Sequence, residues 1–428
     1  MKVVESGPMT SLCLWALWAA AGFVGYTYVG YPLLLLLLMV VRRRRPRVPP
    51  LTEWPAISIV LPVHNEEAVI QDTLENLLQL DYPTDRRQIV VVSDASTDQT
   101  DAIVGRYVNR GVRLLRMPVR EGKTAAENAA RPLLRGEIIV NTDASVHVDR
   151  PALKRLIATF ADPTVGVASS HNVSVARSRA HANYAESWYV GYDMWVRALE
   201  SRVSGIVGAA GCLYAVRVPI QMHLLPDALS RDFAAALVAR ELGFRAVSVR
   251  DAVCFVPRIP SLRREYRRKV RTITRGMQTL YFKRRLLNPL HYGLFSWILA
   301  SHKGCRWLVP PIGLLALVAA ATVAGSARWG RWALGVGVLR ALRGARVVVA
   351  GALAADEGAR GAGVPRDWQP GRPASRHRRV TRRPDAGLGT HAPPRRPAGG
   401  GRLSRTVGGR RPATRPRDAP RRPERCER

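Results

Sequence analysis

Between residues 55 and 260 the chain alternates short β-branched and aliphatic runs with segments whose apolar residues recur at helical spacing. That alternation restricts the fold more than any other feature. Residues 56–63 read as a buried strand, and 66–80 as a helix with Val69, Leu74, Leu77, Leu78 and Leu80 on one face. Strands at 88–92, 112–116 and 137–141 and helices at 100–108 and 124–134 continue the series. Such a series predicts an α/β domain, a parallel sheet covered by helices on both faces. Ligands of these sheets bind beyond the carboxyl ends of the strands. The residues there are polar: His64, Asn65, Glu66 and Glu67 after the first strand, Asp94 to Asp98 after the second, Asp143 and Ser145 after the fourth. Each segment alone reads equally well as a helix cap or a turn. Three at one sheet edge read as a site whose carboxylates can take base N–H groups, ribose hydroxyls and a divalent ion. No glycine-rich loop follows the first strand, which argues against a dinucleotide site and a P-loop.

The flanks belong to a different solvent. Residues 12–41 carry no charge, and about 20 such residues cross a bilayer core. Arg42, Arg43, Arg44, Arg45 and Arg47 follow, which puts the chain beyond them in the cytoplasm. A second span is expected at 307–324, preceded at 289–306 by aromatic and basic residues suited to the membrane interface. A third apolar run, 332–354, is broken by Arg340, Arg343 and Arg346 and is not expected to span. The net charge is +34, of which the last 58 residues supply +14. That balance suits nucleic acid or an anionic membrane surface, and the apolar runs favour membrane lipid over nucleic acid. Five scattered cysteines exclude a disulfide scaffold and a Cys-rich zinc module.

The run from Ile57 to Glu67 resembles the opening strand and Asn-x-Glu of the family 2 inverting glycosyltransferases, and Ile89 to Asp98 resembles their second-strand signature. The resemblance extends from about residue 12 to about residue 324 and is narrowest to the membrane-anchored branch with cellulose, chitin and hyaluronan synthases. It implies a GT-A type, Rossmann-like domain at 51–285, an anchor and basic linker at 1–50, and an interfacial and transmembrane segment at 286–330. By this resemblance Glu66 or Glu67 and Asp94 hold the uracil and ribose of a UDP-sugar, and Lys123 of Glu121-Gly122-Lys123 meets the donor phosphate or sugar. Asp143 stands in the family's D-x-D, with Ser145 replacing the second Asp, so an Mg²⁺ or Mn²⁺ cofactor would rest on Asp143, the diphosphate and water.

The same resemblance makes Asp232, 89 residues beyond Asp143, the base that takes the acceptor's proton. Its predecessor is Arg231 where the family has an acid, and the pair would lower the carboxylate pKa if the two side chains met. Arg268 and Arg271 fit the spacing of the family's Gln/Arg-x-x-Arg-Trp, with Thr272 replacing Trp, and Arg271 would offset charge on the leaving diphosphate. The implied activity is hexosyl or N-acetylhexosaminyl transfer to a saccharide or lipid-linked acceptor, in envelope polysaccharide synthesis at the inner or plasma membrane. Transfer to a polyprenyl phosphate is one alternative. A degenerate enzyme with a nucleic-acid-binding tail is the other.

Residues 313–428 contain no Lys, Ile, Met, Phe, Tyr or Asn. The segment 331–428 is expected to be an unfolded Arg/Pro/Gly-rich tail, either a shifted reading frame of a GC-rich gene or a genuine basic arm.

Overall fold

The computed structural model describes residues 8–41, 49–175, 184–257, 262–324 and 335. The basic cluster at 42–47, the broken run at 332–354 except Gly335, and the Arg-rich tail lie outside the described residues. The strands are β1 (Ile57–Val63), β2 (Arg87–Ser93), β3 (Val112–Arg116), β4 (Ile138–Thr142), β5 (His147–Val148), β6 (Val165–Val175), β7 (Leu213–Arg217) and β8 (Arg245–Pro257). The helices of the central region are α3 (Ile70–Leu78), α4 (Thr100–Gly105), α5 (Lys123–Ala130), α6 (Ala152–Ala158), α7 (Tyr184–Val203), α8 (Val218–Met222) and α9 (Arg231–Glu241). Before them come α1 (Pro8–Gly25) and α2 (Tyr31–Val41), joined by a π-turn. After them come α10 (Leu262–Phe282), α11 (Pro289–Tyr292), α12 (Leu294–Leu299) and α13 (Arg306–Ala324).

The strands form one sheet in the order β3-β2-β1-β4-β7-β6-β8-β5. The first four are parallel, as the strand–helix alternation predicts. The expectation of a parallel sheet throughout is corrected by β7, which runs antiparallel to both β4 and β6, and by β5, antiparallel to β8. After β4 the chain passes through β5, α6, β6 and α7 before β7 returns against β4. The reversal brings the start of β7 to the carboxyl end of β4, where Leu213 pairs with Thr142.

Period-2 alternation sorts the strand residues between two cores. Ile57, Ile59, Leu61, Ile89, Val91, Ile138 and Val140 face one side and meet Ile70, Leu74 and Leu77 of α3. Val60, Val90, Val92 and Ile139 face the other, against Ala125, Ala126 and Ala130 of α5 and Ala234, Ala235 and Val238 of α9. A one-residue slip would exchange the two sets. A third cluster joins Tyr31 and Leu35 of α2 to Val196, Leu199 and Val203 of α7, Phe233 and Leu237 of α9, and Phe295, Ile298 and Leu299 of α12. Two helical stretches, Pro8–Val41 and Leu294–Ala324, are long and apolar enough to cross a bilayer by length and composition. They touch where Thr322 Oγ1 donates to Cys13 Sγ (3.0 Å) and Trp297 Nε1 to Tyr26 Oη (2.9 Å).

Candidate active site

The loops after β1 and β2 lie side by side because the two strands end in register, Val63 opposite Ser93. Each loop closes on the backbone of the other. Glu67 Oε2 accepts from Gln99 N (3.0 Å), Asp98 Oδ2 from Glu67 N (3.1 Å), Asn65 Oδ1 from Thr97 N (2.8 Å) and Thr100 Oγ1 from Glu66 N (2.9 Å). Asn65 and Ala95 at the two loop tips have left-handed φ of 54° and 52°. For alanine that conformation costs about 1–2 kcal/mol, so the clasp holds strained backbone at the sheet edge. Glu67 is engaged in the clasp. The Glu66 carboxylate is not, and its pKa is raised by burial and then by the Asp143 and Asp98 carboxylates, against the pull of His64.

Asp94 is buried, and its two oxygens accept from the backbone amides of Glu121 and Gly122, both at 2.8 Å. It therefore pins the loop that leads into α5. Gly122 in that loop has φ of 99°, which a side chain would strain. Lys123 opens α5 and donates to Asp143 Oδ1 (2.5 Å) and to the carbonyl of Gly211 (3.0 Å). Burial works against its charge, yet Asp143, Glu127 and Asp232 together hold its pKa above the ordinary lysine value.

Asp232 lies in the first turn of α9, with Ser230 at the N-cap position. Its Oδ1 accepts from Phe233 N (2.9 Å) and from the Ser230 hydroxyl. Its Oδ2 packs on Gly211, where a Cβ would stand 2.6 Å away. Gly211 thus touches Lys123 through its carbonyl and Asp232 through its bare α-carbon. Arg231 does not turn to Asp232. Its guanidinium is buried against Glu127 (Nε to Oε2, 3.3 Å) and donates to Gln221 O and Asn128 Oδ1. The juxtaposition that would set an arginine beside the base is therefore not formed. Glu127 is fully buried, and burial pushes its pKa up to about 7 against the opposing pull of Lys123 and Arg231.

A cavity of about 300 Å³ opens beside Asp232, walled by Gly208 to Gly211, by Arg197 of α7, by Thr272 and Gly276 of α10, and by Lys303 and Trp307. Thr272 lines it without an aromatic ring. Trp307 supplies one, packed on Gly276 and edge-on to Phe233 at 6.3 Å. A wider groove of about 650 Å³ between Leu229 and Arg285 lies apart from these carboxylates.

Glu66, Asp94, Lys123, Asp143 and Asp232 are thus gathered at one edge. Arg268 and Arg271 lie exposed on α10. Arg275 of the same helix approaches that group, with Nη2 3.8 Å from where a Cβ on Gly122 would stand. Sequence reading passed over Arg275, although a signal exists. Thr272, Gly276 and Thr279 are small residues at helical spacing on α10, Thr272 and Gly276 on the cavity and Thr279 fully buried. Their face is the packed one, and Arg275 sits beside it. Glu127, Arg197 and Lys303 were also missed, because no local pattern pairs them with residues tens of positions away.

A divalent cation fits this edge only with help from its ligand. Asp143 has its second carboxylate oxygen open, Glu66 is within electrostatic range, and Ser145 is exposed. Among the described residues no three His, Cys, Asp or Glu side chains converge as a metal site. One carboxylate plus phosphate oxygens and water is a donor set that Mg²⁺ accepts.

Residues 58–208 match the family described as Glycosyl transferase family 2. Among curated proteins, a β-monoglucosyldiacylglycerol synthase of Synechocystis sp. is 34% identical over 122 residues, 26% of this chain and 24% of that one. An N-acetylglucosaminyltransferase of Mesorhizobium japonicum is 24% identical over 230 residues, 48% of this chain and 52% of that one. The chain therefore spans about half the length, or less, of the curated relatives it matches. A solved mannosyltransferase from Pyrobaculum calidifontis, in complex with GDP-Man and Mn²⁺, is 25% identical, covers 80% of this chain and 98% of its own, and superposes with a TM-score of 0.63. The mixed sheet with its helices is thus a GT-A type domain, and residues 58–208 within it are similar to the family 2 glycosyltransferases.

Proposed function

We propose that this protein is a membrane-bound inverting glycosyltransferase that moves a sugar from a nucleotide-sugar to an acceptor hydroxyl, with Asp232 as base. One observation carries the reading. Gly211 is gripped by Lys123 on one side and packed on Asp232 on the other, so the donor edge and the base are a single glycine apart. Asp94, Glu66 and Asp143 at the ends of parallel strands suit a nucleoside and its diphosphate. Lys123 and Arg275 suit the negative charge that grows on the leaving group. A divalent cation on Asp143, when bound, would neutralise the diphosphate. The acceptor oxygen attacks C1 from the face opposite the diphosphate, its proton passes to Asp232, and the C1–O bond breaks to release the nucleoside diphosphate.

UDP is the nucleotide we propose for the donor, and GDP is the rival that the Pyrobaculum likeness supports. The two apolar stretches that pack on the domain support a membrane setting with the domain in the cytoplasm. They favour a lipid or lipid-linked acceptor beside the saccharide acceptor of the synthase branch. The test is a panel of radiolabelled UDP- and GDP-sugars on membranes containing the protein, run with the Asp232→Asn variant. Asparagine caps about as well as aspartate. Nucleotide binding should therefore persist while transfer falls by about 10²–10⁴-fold. Transfer at the wild-type rate would remove Asp232 from the mechanism. Wild-type protein that binds no nucleotide would remove the donor site.

A further inference from the structure

The cavity beside Asp232 contains two cationic side chains whose donors are unspent. Lys303 extends over Gly208, its Nζ above the Phe233 ring at 5.2 Å, and hydrogen-bonds to none of the described residues. Arg197 is 8% exposed. Its Nε is taken by Asp193 Oδ2 at 2.9 Å, but its Nη1 is buried with no partner. The two heads lie within electrostatic range of each other, and Lys303 also within range of Asp232. Like charges held together out of water repel, and an unpaired buried donor is costly. Asp193 offsets the pair only in part, because it also binds Arg306 (2.5 Å) and His302 (3.3 Å). A ligand anion between Lys303 and Arg197 would satisfy both at once.

Resting on the nucleotide-sugar reading above, we infer that this cavity is the acceptor subsite and that the acceptor carries an anionic phosphoryl or carboxyl group beside its nucleophilic hydroxyl. Lys303 and Arg197 hold the anion, and Asp232 meets the hydroxyl. The volume of about 300 Å³ suits a group the size of glycerol phosphate. Tyr189 and Ile273 at the rim are apolar and exposed, which leaves room for either a free phosphate ester or a lipid headgroup.

The experiment titrates the full chain in detergent with UDP and Mn²⁺ held saturating, so that the donor edge is filled. The probes are glycerol 1-phosphate, dihexanoylphosphatidylglycerol and neutral dihexanoylglycerol, with Lys303→Gln and Lys303→Arg beside wild type. Wild type should bind one or both anionic probes more tightly than the neutral one. Lys303→Gln should lose about tenfold or more of that affinity, as expected for a charge-assisted hydrogen bond, and Lys303→Arg should recover it. UDP affinity should be equal in all three, which also reports that the variants are folded. Binding of glycerol 1-phosphate alone assigns the anion to a soluble ester, and binding of the phospholipid alone assigns it to a headgroup. Unchanged anion binding in Lys303→Gln, or none in wild type, overturns the inference. A parallel loss of UDP affinity also overturns it, by giving Lys303 to the donor diphosphate. Wild type that fails to bind UDP overturns the nucleotide-sugar reading, and the acceptor assignment with it.

Discussion

Position 211 shows how little room the site allows. A methyl group there would stand 2.6 Å from Asp232 Oδ2, inside any real contact distance. Gly211→Ala should push Asp232 aside and cut transfer by about tenfold or more, as a misplacement near 1 Å does. UDP binding should survive, because Lys123 is gripped by the Gly211 carbonyl and not by its α-carbon. Wild-type transfer in this variant would show that Asp232 does not need its present place. Glu127 gives a prediction in pH. Its pKa is raised from the ordinary glutamate value to about 7 in the fold, so the folded state binds its proton more tightly than the unfolded chain does. Stability from that proton is full below about pH 4.5 and lost as pH rises through about 7. Relative to Glu127→Gln, wild type should lose up to about 3 kcal/mol between pH 5 and pH 8. Thermal unfolding of both proteins at the two pH values reads this directly, and a pH-independent difference would refute it. The sequence marked Asp232, Asp143 and Lys123 through their local motifs. It did not mark Glu127, because the partner that explains it, Arg231, lies on another helix.

At the level of elements, the apolar N-terminal stretch is part of the folded core. Tyr31 and Leu35 of α2 are fully buried, although most of the stretch exposes its apolar side chains. Tyr31 Oη donates to Glu200 Oε1 at 2.5 Å, and Leu35 belongs to the cluster of α7, α9 and α12. Leu35→Ala should therefore cost about 2–5 kcal/mol, the range for a cavity in a packed core. The loss should appear as a lower unfolding temperature of the catalytic domain in detergent. A change confined to membrane insertion would show that α2 does not share the domain's core. Helix limits were legible where one face carries the apolar residues. The helix expected at 66–80 instead begins at Ile70, because residues 65–69 are bound into the clasp with the neighbouring loop. That clasp comes from pairing across 31 to 34 positions, beyond the reach of a local pattern.

In the molecule as a whole, hydrophobic periodicity by itself determined the alternating strands and helices, the parallel half of the sheet, and the two stretches able to span a bilayer. Each is a local property: a strand buries residues at period 2, a helix at 3.6, and a span needs only length without charge. The same reasoning put Glu66, Asp94 and Asp143 at one edge, since parallel strands share their carboxyl end. Only the tertiary structure decided the reversal of β7, which carries Gly211 to Asp143. It decided the turning of Arg231 toward Glu127, the approach of Arg275 to Gly122, and the meeting of Lys303 with Arg197 in one cavity. These depend on which distant surfaces pack together. A charged side chain goes where a buried partner offsets its desolvation, and that partner has no fixed distance along the chain.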